Sequence, residues 1–513
     1  MNDGSDTGRS GGQKVSTGIA GLDQILRGGL SAYHLYLIEG SPGAGKTTLA
    51  LQFLLDGAAH GEPTLYVTLS ETKRELLAIG ESHGWSLDHV GIFEMAPPEQ
   101  SLAAARQLTM FHPSELELSD TTKAVLDEVE RLKPKRVVFD SLSEVRLLAQ
   151  NPLRYRRQIL ALKQFFAGRQ STVLLLDDRT SADEDLQLQS IAHGVICLEQ
   201  LSTQYGAERR QLRVSKMRGV QYRGGLHDMA IRRGGLQVFP RLVAAEHHAD
   251  FEDLDMPSGV EALDQLLGGG IPTGSSTLLL GPAGSGKSTV AMQFCIAAAA
   301  RGERCAIYTF DETVHTLRRR ARKLGMPLDR YIDNGLISVQ QVDPAELSAG
   351  EFASIVREAS EGPEDGGDPS AAKVVLIDSL NGYLHSMAEE KQLTAQLHEL
   401  FTFLSQKGAI TLVTVTQSGM MGAAMHSPVD TTYLADNVIL FRYFESFGHV
   451  RRAISVVKKR SGHHELTIRE LRMSDKGLHI GPPLEQFQGV LMGVPTFHGP
   501  ADQLMGQKGD HGK

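Results

Sequence analysis

Cysteine is scarce: Cys197, Cys295 and Cys305 are the only three in 513 residues. Their spacing fits neither a disulfide framework nor a thiolate metal site, and they read as buried thiols in a reducing compartment. One tryptophan, 6% aromatics and a net charge of −9 leave no basic surface with interleaved aromatics, which argues against a nucleic-acid partner. No apolar run is long enough to span a bilayer, and the N-terminus lacks the apolar core of a signal peptide. With 41% hydrophobic and 22% charged residues, the expectation is a cytoplasmic protein without a membrane partner.

What the chain does contain is a glycine-rich motif written twice. Gly40, Ser41, Pro42, Gly43, Ala44, Gly45, Lys46 and Thr47 match the phosphate-loop pattern G-x-x-x-x-G-K-[ST] in full. So do Gly281, Pro282, Ala283, Gly284, Ser285, Gly286, Lys287 and Ser288. Each follows an apolar run, Leu35 to Ile38 or Thr277 to Leu280, and leads into helix-like sequence that begins with Thr48 or Thr289. Glycines let successive N–H groups turn toward phosphate oxygens, and the following helix aims its positive end at the same charge. Lys46 and Lys287 are expected to reach the β and γ phosphates of ATP, with the Thr47 and Ser288 hydroxyls on Mg²⁺.

Lys287 lies 241 positions after Lys46, and the same offset relates Gly259 to Gly18, Asp264 to Asp23 and Glu312 to Glu71. Asp378 follows Asp140 by 238, so small insertions and deletions fall between motifs. The organisation expected is a terminal segment over 1–13, a first domain over 14–240, an acidic linker over 241–257, a second domain over 258–497 and a tail over 498–513. Each copy is long enough for its own core.

Within each copy, short apolar runs alternate with amphipathic stretches. Thr64–Leu69, Arg136–Phe139 and Thr172–Leu176 read as strands buried on both faces, as do Cys305–Phe310, Val374–Ile377 and Ala409–Val415. The fold class is therefore α/β: two tandem domains, each a mostly parallel sheet flanked by helices. Asp140 and Asp378 end such strands, where a carboxylate emerges beside the phosphate loop to serve the metal. Glu71 and the pair Asp311-Glu312 end the strand after the phosphate-loop helix. A carboxylate there can deprotonate an attacking water, although the same position also suits an N-cap. Each copy closes on a basic cluster, Lys216 with Arg218 and Lys458 with Arg460, which alternation puts on one face of a strand.

Taken together, the two phosphate loops, the paired Asp-Ser motifs, the acidic strand ends and the Lys-x-Arg clusters resemble the KaiC family, two-domain bacterial clock ATPases of the RecA-like superfamily. The resemblance covers about residues 14–497. It is most specific over Ser16–Leu30, Tyr66–Thr72, Lys216–Gly219, Arg451–Gly462 and Met473–Gly477. It implies a double-ring homo-hexamer with ATP and Mg²⁺ between neighbouring subunits, in which Lys216, Arg218, Lys458 and Arg460 reach the neighbour's γ-phosphate. It places His464 near the nucleotide. It further implies serine/threonine autokinase activity in the second domain. There Thr432 falls on the family's serine position, Tyr433 replaces the adjacent threonine, and Thr431 is a further acceptor. With Tyr433 in place of the threonine of the family's adjacent pair, an ordered two-site cycle is not expected.

The function expected is a slow ATPase with secondary self-phosphorylation, acting in signalling or clock-like regulation with protein partners that the residues do not name. One alternative is an ATP-gated scaffold without kinase activity. Another is a RecA-type DNA-handling ATPase, for which Arg154-Tyr155-Arg156-Arg157 is the best candidate contact.

Overall fold

The structure is a computed structural model that describes residues 13–95, 113–149, 151–178, 186–203, 206–361, 371–386, 393–417, 433–446, 448–492 and 496–498. The chain divides into two compact units, Met1–Arg241 and Leu242–Lys513. Each holds one nine-stranded sheet, and the strand order is the same in both.

In the first unit six neighbouring strands run parallel: Gly194–Leu201, Leu35–Gly40, Thr172–Asp178, Arg136–Asp140, Thr64–Thr68 and Gly91–Glu94. Arg209–Met217, His227–Arg232 and Gly235–Phe239 extend the sheet antiparallel beyond Gly194–Leu201. The second unit repeats this with Asn437–Ser446, Ser276–Gly281, Ile410–Thr416, Ala372–Asp378, Arg304–Thr309 and Ile337–Gln341 in parallel. His449–Lys459, Arg469–Ser474 and Gly477–Pro483 form its antiparallel wing. The loop-bearing strand lies inside each sheet, so both faces of Leu35–Gly40 and of Ser276–Gly281 are buried, and their runs are mostly apolar, Glu39, Ser276 and Thr277 being the buried exceptions.

Alternation along these strands sorts side chains to two cores. Tyr36, Ile38, Tyr66, Val138 and Leu174 pack under the phosphate-loop helix Lys46–Ala59. Leu37, Leu65, Val67, Val137 and Leu175 pack on the other face with Ile159, Leu162 and Phe166 of helix Pro152–Ala167. Tyr155 of the basic Arg154–Arg157 stretch is buried in this second core, so its ring is not available to stack on a base. No helix among the described residues is long and apolar enough to cross a membrane.

The repeated element around Asp23 and Asp264 has a structural role. The Asp23 carboxylate accepts from the Thr17 N–H and hydroxyl, both at 2.8 Å, and Asp264 accepts from the Ser258 N–H and hydroxyl, both at 2.6 Å. Gly29 and Gly270, at φ +106° and +150°, pass so close to the Val15 and Met256 carbonyls that a Cβ would sit at 2.3 and 2.4 Å. Residues 242–249, inside the acidic stretch, pack on the second unit. Leu242 and Ala244 are buried there, the Ala244 N–H donates to Glu399 at 3.0 Å, and His247 Nδ1 lies 2.9 Å from Glu361.

Candidate functional site

Gly45 and Gly286 cap the phosphate-loop helices Lys46–Ala59 and Lys287–Ala300 in the left-handed region, at φ +104° and +105°, and no side chain caps the exposed N–H groups. That leaves a row of free donors at a positive helix end, ready for an anion. Both lysines are buried and fold back over their own loops. Lys46 Nζ donates to the Gly40 and Ser41 carbonyls at 2.9 Å each, and Lys287 Nζ to those of Gly281 and Pro282 at 2.9 and 2.8 Å. Lys46 also meets Asp178 at 2.7 Å. Burial lowers the Lys287 ammonium to about 8, against the opposing pull of Asp378.

Asp140 and Asp378 stand at the carboxyl ends of their strands, each turned to the hydroxyl after its lysine. Thr47 Oγ1 lies 3.4 Å from Asp140 Oδ2, and Ser288 Oγ lies 3.0 Å from Asp378 Oδ1. This is a hard oxygen pair of the kind Mg²⁺ accepts, with too few protein ligands for a closed cage; among the described residues no cluster of three His, Cys, Asp or Glu side chains is placed to hold a metal. A metal here fits only with phosphate oxygens and water completing its shell. Two residues that the sequence did not single out orient these carboxylates. The Tyr66 hydroxyl donates to Asp140, and Thr414 Oγ1 donates to Asp378 at 2.5 Å. Burial raises the Asp140 carboxyl, while the Tyr66 hydrogen bond and the Lys46 charge pull it back.

The acidic strand ends are not N-caps. Thr72 and Thr313 cap the helices Lys73–His83 and Val314–Lys323, and Thr72 forms a capping box with Glu75. Glu71 is thereby left free, with a buried Oε2 that has no hydrogen-bond partner. Burial first, then the charges of Asp140, Glu75 and Asp178, push its carboxyl up to about 7. Glu312 is held differently, in an ion pair with Arg320 at 2.7 Å, and Asp311 accepts from the Ser379 hydroxyl at 2.5 Å.

The basic clusters lie at the opposite end of each sheet from their own phosphate loop. Lys216 is opposite Val195, which is opposite Leu37, three residues before Gly40. Likewise Lys458 is opposite Val438, which is opposite Leu278, three residues before Gly281. Three residues of strand are about 10 Å, and the side chains point further away still. Lys216 Nζ donates to the Gln189 and Ala192 carbonyls, the latter at 3.0 Å, and Arg218 to the Ser190 carbonyl at 2.7 Å. Lys458 donates to the Ala435 carbonyl at 2.7 Å, and Arg460 meets Asp436 at 3.1 Å. His464 Nε2 is buried without a hydrogen-bond partner. The candidate acceptors Thr431 and Thr432 lie outside the described residues; Tyr433 beside them is exposed.

Asp178, Tyr66, Arg320 and Thr414 are the site residues that sequence reasoning missed. The pair Asp177-Asp178 at the end of an apolar strand and the run Arg318-Arg319-Arg320 shortly after the acidic pair were signals for two of them. Tyr66 and Thr414 gave none, since each sits inside a strand.

Comparison with known proteins agrees with this twofold site. The family model described as "ATPase: KaiC" matches twice, over residues 15–243 and 256–485. Circadian clock protein KaiC3 of Synechocystis sp. is 26% identical over 495 residues, spanning 94% of this chain and 95% of its own length. Circadian clock oscillator protein KaiC of Synechococcus elongatus is 26% identical over 496 residues, spanning 94% and 92%. With the family pattern present on both halves and each phosphate loop set at the carboxyl end of an interior strand of its own sheet, the chain belongs to the KaiC family of ATPases.

Proposed function

We propose that both nucleotide sites hydrolyse Mg-ATP and that each is completed by a neighbouring subunit in a double-ring homo-hexamer, with 14–240 and 258–497 as the two ring-forming domains. One observation carries this reading: in both units the Lys-x-Arg cluster sits at the sheet end remote from its own phosphate loop. A cation so placed can neutralise γ-phosphate charge only on another subunit, and such trans-acting groups are worth about 10³ to 10⁵ in rate in related NTPases.

In the first site Lys46 and the free N–H groups hold the phosphates, and Thr47 and Asp140 are placed to hold Mg²⁺. A metal held there by Thr47 and Asp140 would supply positive charge against the negative charge that develops on the phosphates. Glu71 takes the proton of the attacking water as its oxygen bonds to the γ-phosphorus and the bond to the ADP oxygen breaks. Its raised carboxyl suits that work near neutral pH. Lys287, Ser288, Asp378 and Glu312 hold the corresponding positions in the second site.

Autokinase activity at Thr432 or Thr431, with Asp311 and Glu312 beside the phosphates, is the secondary activity proposed. Similarity to proteins named for the circadian clock supports a regulatory role. An ATP-gated scaffold without kinase activity is the second reading, and the ion pair of Arg320 with Glu312 is the observation that favours it.

The test is the mass of the particle in Mg²⁺ with a non-hydrolysable ATP analogue. Six chains are expected; a monomer at saturating nucleotide removes the interfacial site. Incubation with ATP followed by mass spectrometry should find phosphate on Thr431 or Thr432, and none anywhere leaves an ATPase without kinase activity.

A further inference from the structure

The two sites differ on the helix that follows the acidic strand end. In the second unit Arg319, Arg320 and Lys323 line a cavity of about 460 Å³ together with Lys287, Ser288 and Thr289 of the phosphate loop and its helix. The offset of 241 puts Ala78, Ile79 and Ser82 at the three cationic positions in the first unit. Arg320 is fixed at two points: Nη2 lies 2.7 Å from Glu312 Oε2, and Nη1 donates to Thr289 Oγ1 at 3.1 Å. Ile79 offers no such contact, and Glu71 Oε2 stands without a partner.

We propose that Arg320 is a positioning residue of the second site, an ion-pair latch that holds Glu312 back from accepting the proton of an attacking water, so that this site retains ATP longer than the first. The proposal rests on the reading of Glu312 as the base. A carboxylate oxygen held by a guanidinium has that oxygen occupied, so it is not free to turn toward a water and take its proton. The Thr289 contact ties that guanidinium to the residue directly after Ser288, so the latch is anchored on the phosphate-loop helix rather than on a mobile side chain. The other charged groups around Glu312 are Asp378 at the end of the adjacent strand, Asp311 bonded to Ser379, and Lys287, Arg319 and Lys323 on the cavity wall. Arg320 alone among these cations meets the carboxylate directly among the described residues.

The experiment uses the full chain with the first site silenced by Lys46→Ala. Adding Lys287→Ala must abolish the turnover that remains; turnover that persists there overturns the phosphate-loop assignment, whatever Arg320 does. With that control met, Arg320→Ile is expected to raise second-site turnover about five- to tenfold. Arg320→Lys keeps a cation beside Glu312 and should keep the low rate. Should the isoleucine variant not fold, Arg320→Gln is read in the same way. An unchanged rate in the uncharged variant overturns the latch, as does a fall in rate, whether or not Arg320→Lys restores it.

Discussion

Lys46 Nζ lies 2.7 Å from Asp178 Oδ1, an ion pair not repeated among the described residues of the second unit. Register explains the difference: Asp178 is opposite Gly40, and the same place opposite Gly281 is taken by Thr416. The first phosphate-loop lysine is therefore shared with a carboxylate that also repels phosphate. Asp178→Thr is expected to tighten nucleotide binding at the first site about fivefold, or ~1 kcal/mol for a partly exposed pair. Titration of a fluorescent ATP analogue in a Lys287→Ala background measures it. Unaltered or weaker binding would show that Asp178 does not compete for Lys46.

Glu71 sets the pH dependence of the first site. Its carboxyl, raised to about 7 by burial and by Asp140, Glu75 and Asp178, must lose its proton to act as a base. Turnover in the Lys287→Ala background should accordingly rise with pH and level off above about 7. Glu71→Gln should remove this limb and cost about 10² to 10⁴ in rate. Stability runs the other way. A carboxyl raised above its unfolded value contributes stability below the unfolded pKa and loses it as pH climbs through about 7, so Glu71→Gln should flatten that slope in thermal unfolding.

Lys287 titrates from the opposite side. Burial brings its ammonium down to about 8 in the free site, and a bound polyphosphate will raise it again. Nucleotide binding to the second site should therefore take up a proton above about pH 8, and affinity should fall as pH increases past that point. Calorimetry of the Lys46→Ala protein in buffers of different ionisation enthalpy reads the proton directly. Binding heats independent of buffer at this pH would contradict the lowered lysine.

Placement of Lys216 and Arg218 at the far sheet end yields a mixing test. Lys46→Ala subunits keep an intact Arg218, and Arg218→Ala subunits keep an intact Lys46. With Lys287→Ala present in both, each preparation alone should be nearly inactive, the arginine variant by about 10³ or more. Mixed rings should regain activity, because some interfaces join a good loop to a good arginine. Absence of recovery after confirmed subunit exchange would exclude action between subunits.

Arg136 holds the first unit together. Its buried guanidinium meets Asp56 at 2.9 Å and Glu62 at 2.5 Å, and donates to the carbonyls of Ser16 and Phe53 at 2.9 and 2.8 Å. Arg136→Ala leaves these acceptors unmatched and should cost ~3–5 kcal/mol. Denaturant unfolding should show the loss in the first unit's transition, with the second unit's unchanged.

Much of this was legible in the residues. Strands from Thr64, Arg136 and Thr172, and their counterparts from Arg304, Ala372 and Ile410, appear within two residues of where the apolar runs place them. A strand buried on both faces needs continuous apolarity, and that is a local signal. The acidic strand ends were legible only as positions. Nothing in Glu71 or Glu312 themselves tells that one carboxylate is unpartnered and the other is tied to Arg320, since their partners are chosen by how a helix lies over the sheet.

The sequence by itself determined that there are two phosphate cradles, two sheets and one order of motifs, because glycine spacing, strand apolarity and a recurring offset of 241 are properties of neighbours along the chain. Tertiary structure decided which charges meet. Asp178 reaches Lys46 across 132 positions, Tyr66 reaches Asp140 across 74, and Lys216 is carried to the remote sheet end by the register of two strand pairings. Such meetings depend on strand order and helix placement, to which each residue contributes only in concert with the whole core.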